Sequence, residues 1–270
     1  MKEKIVFIGS GNMGCAMMKG MVASGKVEAG QITATAARGT HFEELEALGI
    51  HTSVDNAQVA RKADILFLAV KPYLYPEVIG QIKDVVKLEA VIVPIAAGQT
   101  LQSVQALFGG GRKIVKVMPN TPAMVGEAMS AYCKNELVTD EELSKVRKLA
   151  ECFGRAEEVP ESFMDAVTGV SGSSPAYVYM FIEALADGAV LSGMPRAQAY
   201  IFAAQSVLGA AKMVLETGRH PGALKDAVCS PGGTTIEAVA KLEELGLRRA
   251  VIEAERACVK KSVDMTRKQS

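Results

Sequence analysis

Lys4-Ile5-Val6-Phe7-Ile8-Gly9-Ser10-Gly11-Asn12-Met13-Gly14 sets a short β-branched run directly before three spaced glycines and a helical pattern. By itself the G-x-G-x-x-G spacing says little; between a strand and a helix it has a mechanical meaning. Gly9 permits a tight turn, Gly11 lets the backbone approach a pyrophosphate, and Gly14 lets the helix pack close to its strand. The unpaired N–H groups and dipole of the helix then meet the anion. A glycine-rich turn without a ligand is the plain alternative. The helix expected over residues 12–24 ends at Gly25, a suitable C′ glycine.

The alternation continues downstream. Strands are expected at 4–8, 31–37, 64–70, 90–96 and 113–118, with helical segments near 55–62, 74–87 and 100–108. The run DILFLAV at 64–70 is continuously apolar, as a parallel strand covered on both faces should be. Residues 126–133 add a strand, and Thr139 with Glu142 three residues on reads as a capping box. After Val159-Pro160 no strand signal returns. Ser174-Pro175 reads as N-cap and N1 of a helix to about Ser192, closed by Gly193. Helices follow from Pro195 to Thr217-Gly218, at 222–228, at 233–245 and at 247–267. The fold class is therefore an α/β doubly wound parallel sheet of Rossmann type over residues 1–160, followed by an all-α dimerisation domain over 161–270. The 195–217 helix is apolar nearly all the way round, and a small helical domain has little interior to hide it. Burial against a second copy of the chain is expected.

Composition narrows the function. The 270 residues are 49% hydrophobic and carry a formal net charge of zero, which argues against nucleic acid as a partner. The basic stretch 256–268 suits a solvated helix end. The cysteines at 15, 133, 152, 229 and 258 show no C-x-x-C pair and lie in apolar surroundings, so reduced thiols, no metal and a cytoplasmic location are expected. Met1-Lys2-Glu3-Lys4 leads straight into a strand, without the pattern of a signal peptide. No apolar run suits a membrane span.

Strand ends supply the candidate chemistry. The second strand ends Ala36-Ala37-Arg38-Gly39-Thr40, with no acid before Glu43 to hold a ribose 2′-hydroxyl. Arg38 is placed to fork onto a 2′-phosphate, which favours NADPH while leaving NADH possible; an exposed loop arginine is the alternative. Ala69-Val70-Lys71-Pro72 ends the most apolar strand, where ligands bind in such sheets. Lys71 is a candidate for the cofactor phosphates or the nicotinamide amide, or else a solvated residue. Met118-Pro119-Asn120-Thr121-Pro122 is a stiff loop suited to wall a nicotinamide pocket, or an ordinary rigid turn. Ser230-Pro231-Gly232-Gly233-Thr234-Thr235 precedes a helix and offers N–H groups and three hydroxyls, suited to a small carboxylate and one polar atom; helix capping by Thr234 or Thr235 is the alternative. His41, His51 and His220 lie in no recognisable acid–base setting. Reducing a ketone requires protonating an alkoxide, whereas a protonated imine already carries its proton, so the residues fit imine reduction better.

Over nearly its whole length the chain resembles the pyrroline-5-carboxylate reductases. The likeness runs through IGSGNMG at 8–14, ADILFLAVKP at 63–72, MPNTP at 118–122, DAVTGVSGSSPAYVYMFIEALADGAVLSGMPR at 165–196, LGAAKM at 208–213 and HPGALKDAVCSPGGTTIEAV at 220–239. The resemblance implies reduction of 1-pyrroline-5-carboxylate to proline. It also implies a pyrophosphate held by Gly9, Ser10, Gly11, Asn12 and Met13, with Gly14 behind them. Asn56 would lie near the adenosine ribose, Ala69, Val70, Lys71 and Pro72 along the nicotinamide side, and Ala97 against the cofactor. Substrate contacts would come from Ser230, Gly233, Thr234, Thr235 and Glu161, with Thr235 on the ring nitrogen. Intertwined homodimers, often joined into decamers, are implied too. Two positions depart from the family pattern: Ser174, where many members have glycine, and Gly218, where some carry a polar residue. A 3-hydroxy acid dehydrogenase shares the expected architecture and the glycines at 169 and 172, but Val178 and Ile182 fill its lysine and asparagine positions. A non-catalytic NADP(H) sensor would not need the SPGGTT loop.

Overall fold

In a computed structural model describing residues 2–267, the chain divides into two compact units. One holds the residues up to Ser173 together with the chain from Cys258 onward, and the other is Ser174–Ala257. The change of pattern read at Pro160 precedes this division. Residues 161–173 and the end of the last helix belong with the sheet. Of the basic stretch 256–268, Lys268 lies outside the described residues, as does Met1.

The first unit runs β1 (Ile5–Ile8), α1 (Asn12–Ala23), β2 (Ile32–Thr35), α2 (Phe42–Ala47), β3 (His51–Ser53), α3 (Asn56–Ala60), β4 (Ile65–Leu68) and α4 (Tyr75–Ile82). It continues with β5 (Val91–Pro94), α5 (Leu101–Phe108), β6 (Lys113–Met118), β7 (Ala128–Lys134), α6 (Asp140–Ala150), β8 (Gly154–Glu158) and α7 (Met164–Val167). Among the described residues one eight-stranded sheet forms in the order β3-β2-β1-β4-β5-β6-β7-β8. Pairing is parallel except between β6 and β7. The order reverses between β1 and β4, which makes their carboxyl ends the ligand-binding crevice of such a sheet.

Alternation along the strands builds two cores. Ile5 and Phe7 join Met17, Met18, Met21 and Phe67 on one face. Val6 and Ile8 join Leu66, Leu68, Tyr75 and Ile92 on the other. Phe7 stacks on Phe67 with ring centroids 4.4 Å apart. Several strands are shorter than the apolar runs suggested, because their last residues leave the ladder to form turns. β3, β8 and α2 were not expected: β3 is His-Thr-Ser, β8 is Gly-Arg-Ala-Glu-Glu, and both are polar edge strands without an apolar run. Thr139 does cap α6 in a capping box with Glu142, as read.

The second unit contains α8 (Ser174–Leu191), α9 (Arg196–Thr217), α10 (Pro221–Val228) and α11 (Thr234–Glu244). α12 (Leu247–Arg267) begins in it and ends in the first unit. Ser174, expected as an extended N-cap, is instead the first residue of α8, because a π-helical turn over Thr168–Gly172 carries the chain in already helical. α8 and α9 pack through Ala186, Ala199 and Ala203, small residues that let two helices approach closely. Only Ala199 and Ala203 of α9 are buried, while Ile201 is 68%, Phe202 63% and Leu215 58% exposed. No helix among the described residues is long and apolar enough to cross a membrane.

One buried charge stands out. Lys116 on β6 is 6% exposed and pairs across the ladder with Cys133. Burial holds its amine below the ordinary 10.5, outweighing the pull of Cys133, Glu161 and Asp165 toward the charged form. Burial likewise pushes the Cys133 thiol up to about 12. Between the lowered value and 10.5 the unfolded chain binds more protons at this lysine than the folded one, so its contribution to stability rises with pH there. Glu161 and Asp165 keep partners of their own in Leu101 and Ser262. Lys116→Met should therefore stabilise the protein at neutral pH by roughly 1 kcal/mol or more, with the gain fading as pH approaches 10.5. Urea titrations of both proteins at pH 7 and pH 10 measure this; a destabilised variant at pH 7 would contradict it.

Candidate active site

The glycine turn has the geometry that its spacing required. Gly9 adopts φ +106° and donates its N–H to Thr35 O at 3.0 Å. A Cβ there would lie 2.6 Å from the carbonyl oxygen of Ala69. A Cβ on Gly14 would lie 2.8 Å from Gly9 O and 3.2 Å from the Ala69 side chain. Gly11 differs: nothing lies within 4 Å of its missing side chain. It caps α1 in extended backbone with no side-chain hydrogen bond, next to exposed Asn12 and half-buried Met13. An open helix terminus with a cradle that a Cβ would fill fits a dinucleotide pyrophosphate.

Around this turn the structure gathers the remaining candidates of the first unit. Ser10 is buried, and its hydroxyl donates to Thr40 O in the β2–α2 connection. That connection also carries Arg38, which is exposed and engages no partner among the described residues. Glu44, beyond Glu43 in α2, is bound to Lys19. Asn56 opens α3 behind the Asp55 N-cap. Its Oδ1 accepts from Thr35 Oγ1 at 2.6 Å and its Nδ2 donates to Gln81 Oε1 at 2.7 Å. Ala69 and Val70 are half-buried at the end of β4, and Ala69 donates its N–H to Ile8 O at 2.9 Å. Lys71 follows, exposed and without an ion pair among the described residues, and Pro72 starts a 3-10 turn. Ala97 is half-buried after β5, followed by Gly98 at φ +76°.

Two candidates bond to the backbone of neighbouring segments. The Asn120 amide, buried, accepts from Met129 N at 2.9 Å and donates to Ser171 O at 3.0 Å, pinning the MPNTP loop to β7 and to the π-helical turn. Glu161 is half-buried and accepts the Leu101 N–H at 2.6 Å, placing its carboxylate on the first turn of α5. Lys116, whose charge sits in the same buried neighbourhood, gave no signal in the sequence beyond interrupting an apolar strand.

In the second unit Ser230 to Gly233 form a tight turn. Gly233 N donates to Ser230 O at 3.0 Å, and Gly232 sits at φ +69° after Pro231, the signature of a type II turn. A Cβ on Gly233 would lie 2.3 Å from Ser230 Oγ. Gly233 caps α11 in extended backbone without a side-chain bond, and Thr234 and Thr235 are its first two residues. Neither threonine caps the helix, so the capping alternative does not describe this loop. His220 caps α10, accepting from Gly222 N at 3.0 Å, and His51 lies exposed on β3.

A doubly wound sheet with this turn at its switch point, followed by a helical unit, defines a dinucleotide-dependent oxidoreductase. Residues 161–265 match the family described as pyrroline-5-carboxylate reductase dimerisation, and residues 4–98 the family described as NADP oxidoreductase, coenzyme F420-dependent. A pyrroline-5-carboxylate reductase of Escherichia coli is 52% identical over 268 residues, 99% of this chain and all of that one. One of Methanosarcina acetivorans is 47% identical, covering 93% of this chain and 94% of the relative. A solved structure from Coxiella burnetii superposes with a TM-score of 0.91 at 32% identity, covering 98% of this chain and 99% of its own. The Plasmodium falciparum enzyme, solved with NADP bound, superposes at 0.90 with 31% identity and the same coverage. The chain belongs to the pyrroline-5-carboxylate reductase family.

The two turn glycines should respond oppositely to a methyl group. Gly9→Ala meets the Ala69 carbonyl and should cost about 3 kcal/mol or more of stability. Gly11→Ala should leave stability unchanged yet raise the Michaelis constant for NADPH roughly tenfold. Chemical denaturation and steady-state kinetics separate these effects; an unchanged NADPH constant in Gly11→Ala would remove the pyrophosphate from this turn.

Proposed function

We propose that this protein reduces 1-pyrroline-5-carboxylate to L-proline with NADPH, the last step of proline biosynthesis. The observation that carries the reading is the Ser230–Thr235 turn. It leaves the N–H groups of the first turn of α11 without a capping side chain, and the hydroxyls of Ser230, Thr234 and Thr235 make no bond among the described residues. That suits a carboxylate on the N–H groups and one polar ring atom on a hydroxyl. The functional division is taken at residue 160, with cofactor binding before it and substrate binding and dimerisation after it.

NADPH, when bound, supplies the hydride. Gly9, Ser10, Gly11, Asn12 and Met13 hold its pyrophosphate, with Gly14 giving the close packing that brings α1 to the site. Arg38 takes the 2′-phosphate, and Asn56, fixed between Thr35 and Gln81, lies toward the ribose. Ala69, Val70, Lys71, Pro72 and Ala97 line the nicotinamide side. Asn120, fixed by its bonds to Met129 and Ser171, lies on the cofactor side, and Glu161 serves the substrate, its Oε1 held by the Leu101 N–H while Oε2 makes no bond among the described residues. Thr235 binds the ring nitrogen. It accepts from the iminium N–H, and as the nitrogen becomes a neutral amine the hydroxyl rotates to donate to the new lone pair. No strong acid is needed.

The exposed apolar residues of α8 and α9 support a homodimer formed through the helical unit, since such a surface is core-like in character. A decameric ring follows from the family resemblance alone. The free cysteines support a cytoplasmic location.

Mixing the protein with NADPH and pyrroline-5-carboxylate should consume nicotinamide absorbance; absence of turnover would refute the assignment. Arg38→Ala should raise the NADPH Michaelis constant and leave NADH nearly unchanged, whereas equal use of both cofactors by the native protein would deny Arg38 its role. Thr235→Ala should lower kcat/KM by about 10- to 150-fold, the value of a hydrogen bond to a charged group. Thr235→Ser should recover much of that loss, and NADPH affinity should not change. Full activity in Thr235→Ala with loss in Thr234→Ala would move the role to Thr234.

A further inference from the structure

Cys15, His41 and Glu44 have no part in the proposed cofactor or substrate contacts, yet the fold brings them together. Each offers one donor atom, and the three atoms lie within 4.8 Å of one another. Cys15 is buried in α1, His41 is half-buried at the start of α2, and Glu44 is exposed on α2. Among the described residues His41 is the one non-glycine residue at positive φ, 62°. That conformation costs a histidine energy and persists where the surroundings demand it. Its Nδ1 stands 3.6 Å from Glu44 Oε1. A cation already visits the cluster: Lys19 Nζ lies 2.5 Å from Glu44 Oε2.

We propose that Cys15, His41 and Glu44 form a binding site for a soft divalent transition-metal ion of the zinc type. The donors are one sulfur, one imidazole nitrogen and one carboxylate oxygen, the set zinc favours and the hard cations calcium and magnesium do not. Thiolate and carboxylate together balance the charge of a divalent ion. Zinc bonds of about 2.0–2.3 Å place tetrahedral ligand atoms roughly 3.3–3.8 Å apart. The histidine and glutamate atoms already meet that spacing, and the distances to the sulfur, within 4.8 Å, close by side-chain rotation of Cys15 and Glu44. Three protein ligands leave the fourth position to water. On binding, the Cys15 thiol releases its proton to solvent, and the Lys19 ammonium yields its place on Glu44. Lys19 is nearly half exposed, so it reaches water by swinging its stem outward. The proposal does not depend on the reaction assigned above, and either can fail without the other.

The test is zinc binding to the full-length protein, stripped with a chelator and kept reduced without added thiols. Equilibrium dialysis and calorimetry should find about one zinc ion per chain. Cys15→Ser and His41→Asn should each weaken binding roughly tenfold or more; asparagine keeps the left-handed backbone at residue 41. Lys19→Ala, which removes the competing ammonium, should tighten it. Cobalt in place of zinc should give a thiolate-to-metal charge-transfer band in the native protein that Cys15→Ser abolishes. The proposal is overturned if the native protein retains no zinc at micromolar concentration, or if binding is the same in Cys15→Ser and His41→Asn, which would place the ion on other thiols.

Discussion

The carbonyl of Ala69 stands where a side chain at residue 9 would have to go, and the cofactor half of the structure depends on that contact. β1 and β4 are adjacent and parallel, so the chain leaving β1 must turn across the end of β4 before α1 can begin. Glycine at 9 makes the turn, glycine at 14 lets α1 settle onto it, and the Ala69 N–H is satisfied by Ile8. The turn is thereby fixed by backbone atoms, which cannot relax as side chains do. A turn fixed by backbone atoms has little freedom left to lose, so the ordering cost of binding a ligand there would be small.

The helical unit rests on the opposite principle. α8 and α9 meet over three buried alanines, with Ile182, Ala189, Val190 and Met194 packed half-buried around them. Their larger side chains, Tyr179, Met180, Ile201 and Phe202 among them, are left facing outward. At about 25 cal/mol per Å² of apolar surface, hiding them is a strong driving force that a single chain does not use. The end of α12 gains its hold differently, through a hydrogen bond from Ser262 to Asp165 and the packing of Met265 against Gly98, both within the first unit.

What the sequence disclosed follows from the length scale of each signal. The glycine spacing, the apolar central strands, the Thr139 capping box and the five C-terminal helices are local patterns, and the structure reproduces them. β3 and β8 could not be read because edge strands are short and polar by necessity, their neighbours rather than their residues holding them in the ladder. Ser174 looked like a cap because Ser-Pro usually is one; the π-helical turn upstream, at which the distant Asn120 donates to Ser171 O, brings the chain in already helical. Glu161 on the N-terminus of α5, the burial of Lys116 and the meeting of Cys15 with His41 and Glu44 are likewise products of tertiary folding. No spacing in the chain announces them.

The helix termini divide by their caps in a way that bears on charge. α3, α5, α6 and α10 open on side chains that satisfy their own first-turn N–H groups: Asp55, Thr100, Thr139 and His220. α1 and α11 open on glycines in nearly the same extended backbone, Gly11 at φ −69°, ψ 180° and Gly233 at φ −84°, ψ 169°, and neither has a capping side chain. A capped terminus has spent its donors; an uncapped one costs stability that the fold must recover elsewhere. α2, α4, α7 and α9 also lack a capping side chain, but they open on His41, Leu74, Phe163 and Pro195; α1 and α11, one in each unit, open on glycine, whose bare backbone leaves the approach to the first-turn donors unobstructed. A chain with no net charge has little long-range field with which to gather an anion, so any anion bound at these termini would depend on such short-range donors.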